Sequence, residues 1–169
     1  MLTEARLREV YDIYKKELFV YIYRFAHSYE ASEDTLHDCF ENLIKYSHKY
    51  DLADTNIRSF LYRTAHNLVI NYIKRDRKIT PVPLEEDSSV TGKDYIEGVL
   101  ELDELNREIY DHIQSIDEIS RSIFIMTKES GMNAAQIASA LGISERTVRR
   151  KLSSVIEDLG DHLKKSGFL

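Results

Sequence analysis

Residues 133–151, NAAQIASALGISERTVRRK, decide how this chain is to be read. Asn133 can cap a short helix with Gln136 placed to reach back to it, and Ala134, Ile137, Ala138 and Leu141 give that helix a small apolar face. Gly142 interrupts the pattern, and Ser144 followed by Glu145 has the composition of a second helix start. Val148, Leu152, Val155, Ile156, Leu159 and Leu163 then recur at spacings of three and four, which predicts one buried stripe. The opposite face carries Arg146, Arg149, Arg150 and Ser153, whose donors suit phosphates or the acceptor edge of guanine. Two helices joined by a tight glycine turn, the second with a basic outer face, have the geometry of a helix-turn-helix. For this stretch alone, the alternative is an ordinary helical hairpin with a solvated basic face.

The rest of the chain narrows the choice. At 169 residues, 43% hydrophobic and 31% charged, it can bury one moderate core or two small ones. With two Pro and six Gly, long stretches run without a breaker, which predicts an all-α protein. A single cysteine, Cys39, excludes a disulfide framework and a cysteine-based zinc site. His37 and Cys39 are two apart in a helical pattern and so point in different directions, and the other histidines are scattered. There is no phosphate-cradling glycine loop and no nucleophile motif, so no enzyme activity, metal or cofactor is expected. The start, MLTEARLREVYD, lacks a signal-peptide core, and no run approaches the ~20 apolar residues of a membrane span, which predicts a cytoplasmic location.

A net charge of -6 argues against a nucleic-acid partner until it is divided along the chain. Residues 1–80 hold 13 Lys/Arg against 12 Asp/Glu, residues 81–114 hold 2 against 10, and residues 115–169 hold 8 against 7. The acidity is confined to the middle, and each end is free to present a local basic patch.

Leu7, Val10, Tyr14, Leu18, Tyr21, Ile22 and Phe25 predict a long amphipathic helix over residues 4–28; its Tyr content could suggest a stacking surface, but regular helical spacing assigns most of its aromatics to the core. A second helix is expected after Ser32 as cap, with Leu36, Phe40 and Leu43 inward and Asp34, His37, Asp38 and Glu41 as a polar outer row. Residues 49–56 read as a loop. A third helix, about Ile57 to Lys78, has an apolar stripe of Ile57, Leu61, Thr64, Ala65, Leu68, Tyr72 and Ile73. Its remaining positions include Arg58, Arg63, Asn67, Asn71, Lys74, Arg75, Arg77 and Lys78. Basic groups interleaved with Tyr62, His66 and Tyr72 suit a surface that follows a nucleic-acid backbone and stacks exposed bases; a basic helix end favoured by the dipole is the other reading.

Pro81 and Pro83 end that helix, and PVPLEEDSSVTGKD has linker composition. Tyr95, Val99, Leu102, Leu105, Ile109, Ile113 and Ile116 mark an acidic amphipathic helix, and Ile119, Ile123, Phe124 and Thr127 another, closed near Gly131. The expected organisation is two small helical domains, residues 1–79 and 115–169, joined by an acidic linker and connecting helix over 80–114.

In this arrangement the chain resembles the extracytoplasmic-function (ECF) type of bacterial RNA polymerase sigma factor, of the sigma-70 family. SEDTLHDCFENLIKY, residues 32–46, looks like the region 2 stretch that docks on the clamp helices of the polymerase largest subunit. IRSFLYRTAHNLVINYIKRDRK, residues 57–78, resembles the strand-separating helix that reads the minus-ten element, with the family's pattern at Leu61, Tyr62, Arg63 and Asn67. IDEISRSIFIMTKESGMNAAQIASALGISERTVRRKL resembles region 4, which reads the minus-thirty-five element. The chain departs from the family at His37, where Gln is usual, at Phe60, often Trp, and at Ser153 and Ser154, where larger or basic residues are common.

The resemblance implies a non-enzymatic initiation factor with three surfaces. Asp34, His37, Asp38 and Glu41 would contact core polymerase. The loop at 49–56 and the helix at 57–78 would capture melted minus-ten DNA, through Asn56, Arg58, Phe60, Tyr62, Arg63, Asn67, Asn71, Lys74 and Arg75. Ser144, Arg146, Thr147, Arg149, Arg150, Ser153 and Ser154 would engage the minus-thirty-five duplex. Implied partners are core RNA polymerase, through its clamp helices and flap, promoter DNA and a candidate anti-sigma factor. The family's linker threads toward the cleft and RNA exit path, so the acidic middle could fill a positive channel by charge complementarity or simply stay solvated. The competing function is a helix-turn-helix regulator that binds duplex DNA without polymerase, which leaves residues 57–78 unexplained. A purely protein-binding scaffold would not need Arg149 and Arg150.

Overall fold

The computed structural model describes residues 1–79 and 100–169, without the side chains of 77–79. Seven helices and no strand are found among the described residues. The chain divides into two compact units, Met1–Ile96 and Glu97–Leu169. The acidic stretch from Pro81 through Tyr95 to Val99 lies outside the described residues. None of the described helices is long and apolar enough to cross a membrane.

The first unit packs α1 (Glu4–Ala26), α2 (Tyr29–Lys49) and α3 (Asp54–Ile79), each against the other two. His27 ends α1 in a left-handed conformation, φ 51°, with its N–H donating to Tyr23 O at 2.9 Å. That reversal lets α2 begin almost at once, capped by Ser28, whose Oγ accepts from Ala31 N at 3.2 Å. Ser32, expected as the cap, instead sits buried inside α2 and donates its hydroxyl to Ser28 O at 2.6 Å. Either serine could cap by chemistry; the position of the turn selects the earlier one. Similarly α3 begins at Asp54, where the sequence predicts loop up to residue 56, with the acidic group in the first turn where the dipole favours it.

Val10, Leu18, Tyr21, Ile22 and Phe25 meet Leu36, Cys39, Phe40 and Leu43 in the core, together with Ile57, Leu61, Tyr62, Ala65 and Val69. The inward stripe of α3 is therefore rotated from the expected one. Tyr62, Val69 and Ile70 are buried, whereas Thr64, Leu68, Tyr72 and Ile73 are only half-buried. The cause is aromatic packing from α1: the Tyr21 and Tyr62 rings meet edge-on with centroids 5.3 Å apart, and Tyr21 Oη shares a 3.0 Å hydrogen bond with His66 Nδ1. A bidentate pair reinforces this setting, Arg58 Nε and Nη2 donating to Glu17 at 2.9 and 3.2 Å.

The second unit comprises α4 (Glu104–Ile113), α5 (Glu118–Lys128), α6 (Ala134–Leu141) and α7 (Glu145–Lys165). Asp103 and Asp117 cap α4 and α5, accepting from Asn106 N at 2.7 Å and Ser120 N at 3.0 Å. The sequence places α4 with the linker, yet it packs on α7 inside this unit. Tyr110 and Ile113 are buried, and His112 and His162 stack at 4.0 Å while pairing with Asp158 and Glu108, each at 2.6 Å. Asn133 and Gln136 form the reciprocal capping box, both bonds 2.9 Å. Gly142 takes φ 68°, so that its N–H and that of Ile143 both donate to Ala138 O, at 2.9 and 3.2 Å. On α7, Val148, Val155, Leu159 and Leu163 are buried as the periodicity predicts, but Ile156 is 57% exposed. Three-and-four spacing admits Ile156 only at the edge of the stripe, where it stays in solvent.

Leu43→Ala removes a fully buried side chain at the centre of the first unit and should cost about 2–5 kcal/mol in urea denaturation. Gly142→Ala meets nothing within 4 Å, so its cost is backbone strain alone. Melting of the second unit should report about 1–2 kcal/mol for that change.

Candidate polymerase and promoter interface

The rotation of α3 sorts its polar residues into two classes. Asn56, Phe60, Arg63, Asn67, Asn71 and Lys74 recur every three or four residues and form one stripe, all exposed except the half-buried Phe60. Arg75 is exposed beside it. Arg58 and Tyr62 fall off this stripe. Arg58 is held by Glu17, with its guanidinium carbon 5.8 Å from the Tyr62 ring centroid, and Tyr62 is 0% exposed. In this conformation neither presents itself to a nucleic acid; both set the rotation that presents the others.

Two grooves run along the seam between α2 and α3, and Leu68 lines both. The first, about 440 Å³, is bounded by Asn42, Lys45, Tyr46, Lys49 and Tyr50 of the α2 end and by Phe60, Thr64 and Asn67 of α3. Its aromatic wall is continuous: Tyr46 lies 4.9 Å from Phe60 and 4.7 Å from Tyr50 by ring centroids, and Tyr50 is 58% exposed. Ring faces for stacking, amides for base edges and two lysines for phosphates converge here. The sequence predicts Phe60, Asn67 and, within the 49–56 segment, Lys49 and Tyr50 as part of this surface, but misses Asn42, Lys45 and Tyr46. The available signal is the Tyr46–Tyr50 repeat interleaved with Lys45 and Lys49, off the apolar stripe of α2.

The second groove, about 340 Å³, brings Glu30, Asp34 and Asp38 of α2 together with Tyr72 and Arg75 of α3. Asp34, His37, Asp38 and Glu41 are all exposed on α2, and Glu41 pairs with Lys45 at 2.6 Å, a hydrogen bond and charge that hold its carboxyl pKa below the usual carboxylate value. The acidic row expected to meet polymerase thus borders, at one end, a residue expected to meet DNA.

In the second unit, Arg146, Arg149, Arg150, Ser153 and Ser154 are exposed along α7. Ser144 is occupied as the cap: its Oγ accepts from Thr147 N at 3.1 Å and its hydroxyl donates to Thr147 Oγ1 at 2.9 Å. Arg149 Nη2 donates to Glu145 Oε2 at 2.9 Å.

Comparison with known proteins assigns these surfaces to a family. Residues 10–79 match the family model for Sigma-70 region 2, and residues 106–158 match that for Sigma-70, region 4, together spanning well over half of the chain. RNA polymerase sigma factor YlaC of Bacillus subtilis (strain 168) is 24% identical over 162 residues, covering 95% of this chain and 93% of that protein. The chain belongs to the ECF type of the sigma-70 family. The region 2 match embraces α2, α3 and both grooves, and the region 4 match runs from α4 into α7, so α4 falls with the helix-turn-helix. Sigma-70 family members are not enzymes, and among the described residues no group of three or more His, Cys, Asp or Glu is arranged to hold a metal ion.

Cys39 lies on α2 between the exposed His37 and Asp38 and Glu41, but it points inward. Burial, with a smaller push from the Asp38 carboxylate, raises its thiol to about 12. The thiolate is the reactive form, so at pH 8 native Cys39 should resist iodoacetamide and react only in denaturant. Rapid alkylation of folded protein, read by mass spectrometry, would contradict this placement.

Proposed function

We propose that this protein binds core RNA polymerase through the outer face of α2, opens promoter DNA along α3, and holds the upstream duplex with α7. The observation that carries the proposal is the aromatic and basic groove of Tyr46, Tyr50, Phe60, Asn67, Lys45 and Lys49, lying within the segment matched to region 2. A duplex-binding regulator has no use for such a cleft, because stacked, paired bases cannot enter it. Unpaired bases can, with ring faces contributing about 1–3 kcal/mol per base.

The exposed α3 stripe from Asn56 to Lys74 then follows the strand that leaves the duplex, with Arg75 beyond it on the phosphates. Arg58 and Tyr62 support this surface from beneath. Asp34, His37, Asp38 and Glu41 meet a basic face of the polymerase largest subunit, where charge complementarity speeds docking. Arg146, Arg149, Arg150 and Ser153 face the major groove, and Ser154 lies beside them. Ser144 and Thr147 hold the helix start, where main-chain N–H groups favour a phosphate. An anti-sigma factor would inhibit by covering either exposed face. The first unit is the region 2 module and the second, including α4, the region 4 module.

The decisive experiment mixes the protein with core polymerase and a random promoter library and asks whether it co-purifies with core and starts transcription at defined sites. Tyr46→Ala and Asn67→Ala should reduce permanganate reactivity of opened DNA while leaving polymerase binding intact; unchanged footprints would remove the groove from the mechanism. Asp34→Ala combined with Asp38→Ala should weaken polymerase capture without affecting upstream duplex binding. Arg150→Ala should cost about 1–3 kcal/mol in minus-thirty-five binding, and a variant that binds as tightly as the parent misplaces the recognition face.

A further inference from the structure

Sequence alone leaves Glu145 out of the expected recognition face, yet it is paired with one of that face's arginines. It occupies the first turn of α7, 48% exposed, joined at 2.9 Å to an Arg149 that is 66% exposed. When α7 docks on a duplex, this carboxylate loses water and approaches a row of phosphates. Both effects oppose binding unless the oxygen finds a donor. In the major groove, strong donors are limited to the exocyclic amino groups of cytosine and adenine.

We propose that Glu145 is a specificity-determining residue, acting with Arg149 as one unit that reads a single G·C pair. The inference rests on α7 being the duplex-reading helix. Across the major groove a G·C pair presents guanine N7 and O6 as acceptors, then the cytosine N4 amino group as donor. The joined pair presents the complement: guanidinium donors for N7 and O6 beside a carboxylate oxygen for N4. An A·T pair offers acceptor, donor, acceptor and methyl in that order, which places a donor against the guanidinium and a methyl group near the carboxylate. Reversing the pair exchanges the two halves and mismatches both. The ion pair also biases the Arg149 side chain toward the paired rotamer before binding, so that somewhat less rotamer freedom is lost on contact. Arg146 and Arg150, on the same exposed face, supply the phosphate and neighbouring-base contacts that attract the duplex.

The test selects minus-thirty-five sequences with the polymerase-bound parent and with Glu145→Ala, Glu145→Gln and Arg149→Ala. The parent should enrich a G·C pair at one position. Glu145→Ala should lower discrimination there about ten-fold or more, while preferences at other positions stay as in the parent. Glu145→Gln, which can still accept from N4, should retain more of the preference than Glu145→Ala. Arg149→Ala should relax the same position, and the double variant should be little worse than either single one. If Glu145→Ala binds every sequence more tightly and keeps the parent's preference, the carboxylate is only a repulsive surface charge and the inference fails. A parent that selects sequence but no G·C pair overturns it equally. Failure of the parent to select any sequence with polymerase would instead overturn the reading of α7 itself, and this inference with it.

Discussion

The contact between Tyr21 of α1 and Tyr62 of α3 sets the rotation on which the first unit's surface depends. A helix with residues of mixed character can turn several faces inward. In α3 the choice is made by two large rings meeting edge-on, with His66 tied to Tyr21 Oη and Arg58 tied to Glu17. Once Tyr62 is inward, geometry dictates that Asn56, Arg63, Asn67, Asn71 and Lys74 are outward, because positions three and four apart share a face. Buried aromatics and a bidentate ion pair thus orient an exposed polar stripe that they do not belong to.

The second unit solves the same problem with local rules. Its short α6 contributes few buried residues, so its ends must be well satisfied: Asn133 and Gln136 close one, and Gly142 turns the other in a conformation that other residues rarely adopt. These devices fix where α7 begins, hence which arginines stand in its first turns. Packing of α4 along α7 through Glu108, His112, Asp158 and His162 steadies the far half of that long helix.

Charge is distributed rather than balanced. An overall -6 coexists with a basic α7 face and a basic edge on the first groove because the excess acid is gathered between residues 81 and 114. Within the first unit, acid and base alternate along one seam. The acidic row of α2 ends in a groove shared with Arg75, while Lys45 and Lys49 line the other groove on the same helix. An acidic and a basic groove therefore lie within one helix pair.

The sequence alone determined the helical class, the two-unit plan and the helix-turn-helix, because these follow from periodicity, breakers and caps, which act over a few residues. Asn133, Gly142 and Ser144 carry their roles in their own chemistry. It also determined that Asp34, His37, Asp38 and Glu41 share a face, since that needs only helical spacing. Tertiary packing alone decided the rest. It chose Ser28 over Ser32 as a cap, turned Tyr62 inward, tied Arg58 to Glu17, left Ile156 in solvent and assigned α4 to the second unit. It also brought Phe60 of α3 against the Tyr46–Tyr50 pair at the end of α2, an approach between helices that no local pattern encodes. Local free energies mark where a helix can start and stop; which start is used where two are offered, and which side is buried, is settled by the shapes it meets.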